Sequence, residues 1–474
     1  VITLRGYQTD GIRQIREAFA AGFKAPLYVA PTGSGKTRLF SAIAESSEKR
    51  GKRVLILVHR IELVDQVVAA LEECGVKPDV IAAGYSRRAG GDPRNSFRAV
   101  NNAVSVASVQ TLVGRLDNYA PPTLIIIDEA HHATAGSYTT IMRHCHEARM
   151  LGVTATPIRL DGRGLAAHFD KLILGPSAAQ LTAEGYLAPA RIFAPPTVDT
   201  SGLHIRAGEF KAEEANALMD TPAIIGSALA HYRQHGNEEQ ALVFCTSVQH
   251  AHNVAAQFRN DGIAAVALDG GTDKDIRRMT MQDYRDGKIR VLTNCELFGE
   301  GVDLPGVHVG IMLRPTASLT LHLQQCGRIL RPAPGKTHAI ILDHVGNTER
   351  HGLPTDERDW VLTSDVIRKK KKDAPGIRIC LKCWAASAAR ATVCSECGVA
   401  FEVKPRAEIE EKAGELVELT PEQIAKKRER REQGKSRSLE ELIAFGRSKK
   451  YANPEAWARH VWNGRMAKKS REMV

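Results

Sequence analysis

The chain has 474 residues, 43% of them hydrophobic and 25% charged, with a net charge of +11. That length holds two or three domains with cores of their own, and the ordinary apolar-to-charged balance excludes a disordered or fibrous chain. No apolar run reaches the ~18 residues that a membrane helix needs, and the N-terminus, which opens on Val1, lacks the basic, apolar and small-residue order of a secretion signal.

From residue 1 to about 185, short apolar runs alternate with amphipathic stretches: 27–30, 54–58 and 123–127 read as strands, and 62–74 as a helix ended by Gly75. Such alternation predicts a parallel sheet in an α/β domain. Ala30–Thr37 (APTGSGKT) follows a strand and precedes a helix-compatible run, the setting that a phosphate-cradling loop requires. Gly33 and Gly35, with Ser34 between them, let successive backbone N–H groups face phosphates. Lys36 then reaches the β- and γ-phosphates, and the Thr37 hydroxyl is placed for Mg²⁺. Asp128 and Glu129 close the strand 123–127, where α/β folds put ligand chemistry. Asp128 suits Mg²⁺ through water, and Glu129 suits the attacking water of an in-line displacement. In isolation an Asp-Glu pair reads as a solvated turn; the strand before it and His131 after it favour a site.

Residues 186–365 repeat the pattern, with strands expected at 241–245, 263–268, 290–293 and 339–343. Arg328 and Arg331 lie three apart, a spacing that predicts one helical face. Aimed across a cleft, they would stabilise charge on a transferring phosphoryl group. An exposed helix face is the commoner reading of such a pair, and the adjacent Gln324 and Gly327 tip the balance.

Beyond the second lobe, 366–378 reads as a linker opening on the cationic run Arg368–Lys372. Cys380, Cys383, Cys394 and Cys397 form two CxxC pairs within 379–403, the spacing of a closed, structural Zn²⁺ site. The other five of nine cysteines stand alone, which argues for a reducing compartment rather than a disulfide framework. The region 404–474 carries 18 Lys and Arg against 12 Glu and no Asp. It reads as a basic, partly helical tail, with a helix expected over 421–432. Arg368–Lys372 and Lys426–Arg431 suit phosphates as well as they suit a solvated surface. Trp457 and Trp462 read as anchors of a small core in preference to base-stacking platforms. Glu410, Glu411 and Lys412 have no apolar strand before them and read as surface rather than as a nuclease centre. With seven residues before Gln8, the sequence as it stands carries the expectation of no N-terminal nuclease domain.

The ordered set of motifs resembles superfamily 2 helicases and translocases, and the resemblance covers about 1–350. It implies two RecA-like parallel-sheet lobes, 1–185 and 186–365. LRGYQTDGI at 4–12 is similar to the adenine-reading motif, which gives that role to Gln8 with help from Arg5. VHRIEL at 58–63 and SVQTL at 108–112 resemble elements that touch the nucleic-acid backbone, here through His59, Arg60, Gln110 and Thr111. VFCTSV at 243–248 does the same from the second lobe through Thr246. TAT at 154–156 resembles the element coupling nucleotide to nucleic acid. Asn294–Asp303 implies nucleotide-side roles for Gly301 and Asp303, and QQCGRILR at 324–331 implies nucleotide contacts from Gln324 and arginine fingers at Arg328 and Arg331. Gln325 stands where many members carry Arg, so no finger is carried over to it. Within the superfamily, EGVDLP followed by QQCGRILRP resembles RadD-like bacterial repair helicases and restriction-enzyme motor subunits. The resemblance implies ATP, Mg²⁺ and Zn²⁺ as cofactors and DNA in preference to RNA. It further implies a monomer in a bacterial or phage-infected bacterial cytoplasm, acting in repair or recombination, with a protein partner conceivable on the zinc module or tail. Alternatives left open are an RNA helicase, an ATP-gated remodelling factor without processive unwinding, and a restriction motor whose nuclease is on another chain.

Overall fold

A computed structural model describes residues 3–83, 85, 102–159, 161–195, 198–297, 304, 306–363, 376–401, 433, 436, 438–449 and 451–471. The apolar runs of the first lobe become β1 (Pro26–Val29), β2 (Val54–Val58), β3 (Asp79–Ile81), β4 (Val104–Ser108), β5 (Leu124–Asp128), β6 (Arg149–Thr154) and β7 (Lys171–Leu174). They pair in the order β3-β4-β2-β5-β6-β1-β7, every neighbour parallel. Alternate side chains serve the two faces, as the two-residue period of a strand requires. Tyr28, Ile56 and Ile126 face a core that includes Ile12, Ile15, Phe40 and Val64. Leu27, Leu55, Ile125 and Ile127 face one that includes Leu112, Tyr138 and Ile141. Covered on both faces, β1, β2, β4 and β5 are buried along their whole length, which is why β1, β2 and β5 read as continuous apolar runs.

Helix α1 (Gly6–Ala20) carries the N-terminal motif, α2 (Lys36–Glu48) follows the Gly-rich loop, and α3 (Ile61–Glu73) follows β2. The last stops where expected. Gly75 is left-handed at φ +81°, and the Val76 amide returns to the Leu71 carbonyl at 2.9 Å, closing a Schellman-type end.

The second sheet is built from β8 (Ala190–Phe193), β11 (Ala241–Phe244), β12 (Ala265–Leu268), β13 (Val291–Asn294), β14 (Val309–Met312) and β15 (Ala339–Asp343), all parallel, in the order β12-β13-β11-β14-β15-β8. A short hairpin, β9 (Ile205–Arg206) and β10 (Glu209–Phe210), follows β8 and precedes helix Ala212–Met219. Leu181 and Leu187 already belong to this lobe's core. After helix Asn347–His351 the chain returns to the first lobe, where Trp360 and Leu362 pack against its core and the Ala166 amide donates to the Leu362 carbonyl at 3.1 Å. It then re-enters the second: β16 (Ile377–Ile379) and β17 (Ala386–Ala388) form a hairpin, and Cys380, Ala385 and Cys394 join the second lobe's core.

Residues 404–474 form a separate unit, described by itself. Helices Leu439–Ser448 and Pro454–Arg471 pack as a hairpin whose centre is aromatic. The Trp457 ring lies 5.9 Å from Phe445 and 4.7 Å from Tyr451, in keeping with an anchoring role for Trp457. The expected helix 421–432 and the cation runs Arg368–Lys372 and Lys426–Arg431 lie outside the described residues, as do Glu410, Glu411 and Lys412. Among the described residues, no helix is long and apolar enough to cross a membrane.

Candidate active site and cysteine cluster

The carboxyl ends of the first lobe's strands converge on the Gly-rich loop, as the geometry of an open parallel sheet dictates. β1 delivers the loop, β5 ends on Asp128, and β6 ends on Thr154. Gly33 at φ +89° and Gly35 at φ +74° hold left-handed conformations that other residues rarely adopt. Gly35 is also the residue before α2, so the loop's amides and the helix N-terminus share one focus, an anion site by construction. The Lys36 ammonium donates to the carbonyls of Ala30 and Pro31 at 3.0 and 3.1 Å. Burial lowers its pKa; Glu129 and Asp128 oppose that shift, while Arg331 and Arg328 add to it. One lysine thus feels both carboxylates and both arginines, which brings the five expected catalytic residues to a single locus.

Asp128 is 5% exposed, and its carboxyl is pushed up by burial and by the neighbouring Glu129 carboxylate, with Lys36 acting the other way. Two crowded carboxylates with one cation beside them suit a divalent ion, whose charge would relieve both. Glu129 sits at φ 48°, a left-handed strain of a kind that clusters at functional sites.

Buried hydroxyls run from this carboxylate to the other lobe. His131 Nδ1 lies 3.4 Å from Glu129 and 3.1 Å from the Thr154 hydroxyl. Thr154 donates its one proton to the Thr156 carbonyl at 2.9 Å, so His131 must be the donor to Thr154. The Thr156 hydroxyl then donates to Thr320 at 3.0 Å, and Thr320 donates to the Ile158 carbonyl at 3.2 Å. Thr320 lies on helix Leu319–Ile329 of the second lobe, the helix that carries Gln324 and Arg328. No motif reading singled it out, because a lone Thr in an apolar helix carries no signal by itself.

That helix lies directly on the loop. A Cβ at Gly327 would sit 2.5 Å from the Thr32 Cβ, and a Cβ at Gly33 would sit 3.6 Å from the Arg331 Cγ. The expectation of one helical face for both arginines needs correction: the helix closes at Ile329, with Leu330 as its cap, and Arg331 follows in the turn ahead of Pro332. The two guanidiniums reach the locus from different backbone settings.

Gln8 is 2% exposed; its amide donates to the carbonyl of Gly35 at 3.1 Å and more weakly to Ser34, and its oxygen accepts the Arg5 amide at 2.9 Å. Arg5 stacks on Tyr186 at 4.4 Å and donates to the Tyr7 hydroxyl, which donates to the Ser34 carbonyl. Tyr7 and Tyr186, 5.3 Å apart, are aromatic neighbours of the loop that motif reading missed. Thr37 is the second residue of α2, beside Lys36. Gly301 and Asp303 lie outside the described residues.

The residues expected to meet nucleic acid also lie at strand carboxyl ends. The His59 ring lies 4.4 Å from His132, and His132 lies 4.2 Å from His131, both pairs tilted, a run of ring contacts from that region to the carboxylates. Arg60 donates to the Glu296 carbonyl of the second lobe at 3.3 Å. Gln110 accepts from the Ser108 hydroxyl and Thr111 from the Ala83 amide. Thr246 donates to Asn216 and meets His250 at 2.8 Å, so its hydroxyl is engaged within the second lobe.

In the cysteine cluster, Sγ atoms of Cys380 and Cys397, and of Cys383 and Cys394, are each 3.6 Å apart, and all four lie within 4.8 Å of one another. Tetrahedral Zn–S bonds of about 2.3 Å give S···S edges of about 3.8 Å, so the set fits that ion. The cluster is docked on the edge strand β8: Ala194 donates to the Trp384 carbonyl at 2.9 Å, and Arg191 pairs with Glu396.

Residues 1–159 match the family described as the res subunit of type III restriction enzymes, and residues 222–333 match the helicase conserved C-terminal domain. A "51.5 kDa protein" of Lactococcus phage (isolate 7-9) is 34% identical over 80% of this chain and 78% of its own length. The candidate ATP-dependent helicase Irc3 of Saccharomyces cerevisiae is 31% identical over 72% of this chain, which spans about half (51%) of that relative. Among solved structures, the ATP-dependent type ISP restriction-modification enzyme LlaBIII bound to DNA superposes with a TM-score of 0.53 at 17% identity. The match covers 78% of this chain and 29% of that one, and shows a shared fold.

Proposed function

Because this chain belongs to the superfamily 2 helicases related to restriction-enzyme motor subunits, we propose that it hydrolyses ATP in a cleft between its two lobes, under stimulation by DNA, and moves along or opens that DNA. The observation that carries this reading is the contact of the second lobe's arginine segment with the phosphate loop, Gly327 on Thr32 and Arg331 on Gly33. In the proposed reaction the loop amides and Lys36 hold the phosphates, Glu129 orients the attacking water, and Arg328 and Arg331 meet the charge that develops on the transferred group. Asp128 and Thr37 would hold Mg²⁺, which would supply neutralisation of the phosphate oxygens. Gln8, Arg5, Tyr7 and Tyr186 lie together beside the loop, where they would receive the base. His131 and Gln324 border the γ-phosphate side, and Gly301 and Asp303 are assigned nucleotide-side roles on resemblance alone. DNA would cross the carboxyl edges of both lobes at His59, Arg60, Gln110, Thr111 and Thr246. The Thr154–Thr156–Thr320 hydroxyls would report the state of Glu129 to the second lobe. Zn²⁺ in the cysteine cluster would brace the edge of that lobe. Kinship with a DNA-bound restriction enzyme supports DNA as the track, and the RadD-like resemblance supports a role in repair or recombination.

Displacement of a triplex-forming oligonucleotide tests the movement. ATP-dependent displacement, absent with a non-hydrolysable analogue, is expected; DNA-stimulated hydrolysis with no displacement would leave ATP-gated binding instead. One observation favours that second reading: Leu381, at the tip of the first cysteine pair, is 83% exposed, as a partner-binding residue would be.

A further inference from the structure

The turn after the arginine helix contains a second Gly-Lys-Thr, at 335–337, which none of the functional assignments uses. Its setting is the reverse of the phosphate loop's. It follows the carboxyl end of a helix, where carbonyls rather than amides lack partners. The Lys336 ammonium donates to three of them: Val307 at 2.6 Å, Arg331 at 2.9 Å, and Ile329. An ammonium has three protons and all three are spent, so Lys336 is not available as a phosphate ligand. Its side chain is half-buried, and burial pushes its pKa down to about 8. What it holds is informative. Ile329 is the last residue of the helix bearing Arg328, Arg331 is the second arginine itself, and Val307 leads into β14 of the same sheet. The lysine therefore ties the backbone of Arg331 to the helix end and to the lobe's sheet at one point. Gly335, at φ +78°, makes the tight return that brings Lys336 back beneath them.

We infer that Lys336 is a positioning residue that fixes the backbone of Arg331, and through it the guanidinium, against the phosphate loop. The inference rests on the proposed role of Arg331 as an arginine finger. A cation at a helix carboxyl end is favourable on general grounds, but here the half-buried bonds join the Arg331 carbonyl to the helix end and to the strand edge at one point.

The test is ATP hydrolysis at saturating DNA by Lys336→Met, Lys336→Arg, Arg331→Ala and the Lys336→Met/Arg331→Ala double variant, with kcat and KM separated. An arginine finger is worth about 10³–10⁵ in rate, and partial misplacement should cost Lys336→Met about 10–100-fold in kcat with KM changed less than about threefold. Lys336→Arg, which keeps charge and donors, should recover most of that loss. In the Arg331→Ala background, Lys336→Met should lower kcat no further, because residues acting as a unit are not additive. Wild-type kcat in Lys336→Met, or a full additional loss in the double variant, would overturn the inference while leaving the site intact. If Lys336→Met does not fold, the Lys336→Arg rate decides, and loss equal to that of Arg331→Ala counts against it. Wild-type kcat in Arg331→Ala would instead sink the functional reading beneath it.

Discussion

The two lobes share a parallel-sheet plan and place different chemistry at the same edge. In the first, β1 runs into a loop of left-handed glycines, and the carboxyl ends of β5 and β6 add Asp128 and Thr154. In the second, β11 runs into Cys245, Thr246 and Ser247, of which Ser247 caps the next helix and Thr246 bonds within the lobe. That lobe's contribution is cationic and comes from the end of a helix lying on the loop. In the proposed mechanism this difference would give recognition of phosphate to the first lobe and charge compensation in the transition state to the second. On that proposal the protein would bind nucleotide with one lobe and hydrolyse it only with both.

Substitutions can break or sharpen that division. The largest effect is expected from Arg331→Ala: kcat falls by about 10³-fold or more while nucleotide affinity holds, as equilibrium binding of a fluorescent ATP analogue would report. Lys36→Ala should differ in kind, losing nucleotide binding together with hydrolysis, by about 10²–10³ in rate, while keeping part of its DNA binding in a gel-shift assay. If those two variants have the same binding defect, the division between lobes is wrong. Gly327→Val places carbon where Thr32 already stands, and overpacking of this kind costs about 1–3 kcal/mol. The second lobe should lift, and kcat should drop about tenfold with little change at the first lobe. Thr320→Val keeps shape and removes one hydroxyl with its two hydrogen bonds, each worth about 0.5–1.5 kcal/mol net. DNA stimulation of hydrolysis should fall about 2–10-fold, with the unstimulated rate less affected.

Much of this was legible in the residues. The strand at 54–58 was expected where β2 is found, and the end of α3 at Gly75 was readable because a glycine there permits the left-handed closure. The phosphate loop and the cysteine pairs were legible because their chemistry sits in contiguous residues. Contacts made across the chain were not. Nothing in the spacing of Arg328 and Arg331 shows that Leu330 caps the helix between them. The pairing of β8 with β15, and the docking of the cysteine cluster on β8, depend on which sheet edge is open. Gln8 and Arg5 were recognised by motif, yet their link through Tyr7 and Tyr186 to the loop is a tertiary arrangement without periodicity.

The central claim is tested most directly by steady-state ATP hydrolysis at one fixed salt concentration, with single-stranded, duplex and forked DNA, RNA, or no nucleic acid, and Lys36→Ala as the blank. The account predicts strong stimulation by DNA, little by RNA, and none in the blank. Hydrolysis indifferent to every nucleic acid would contradict it.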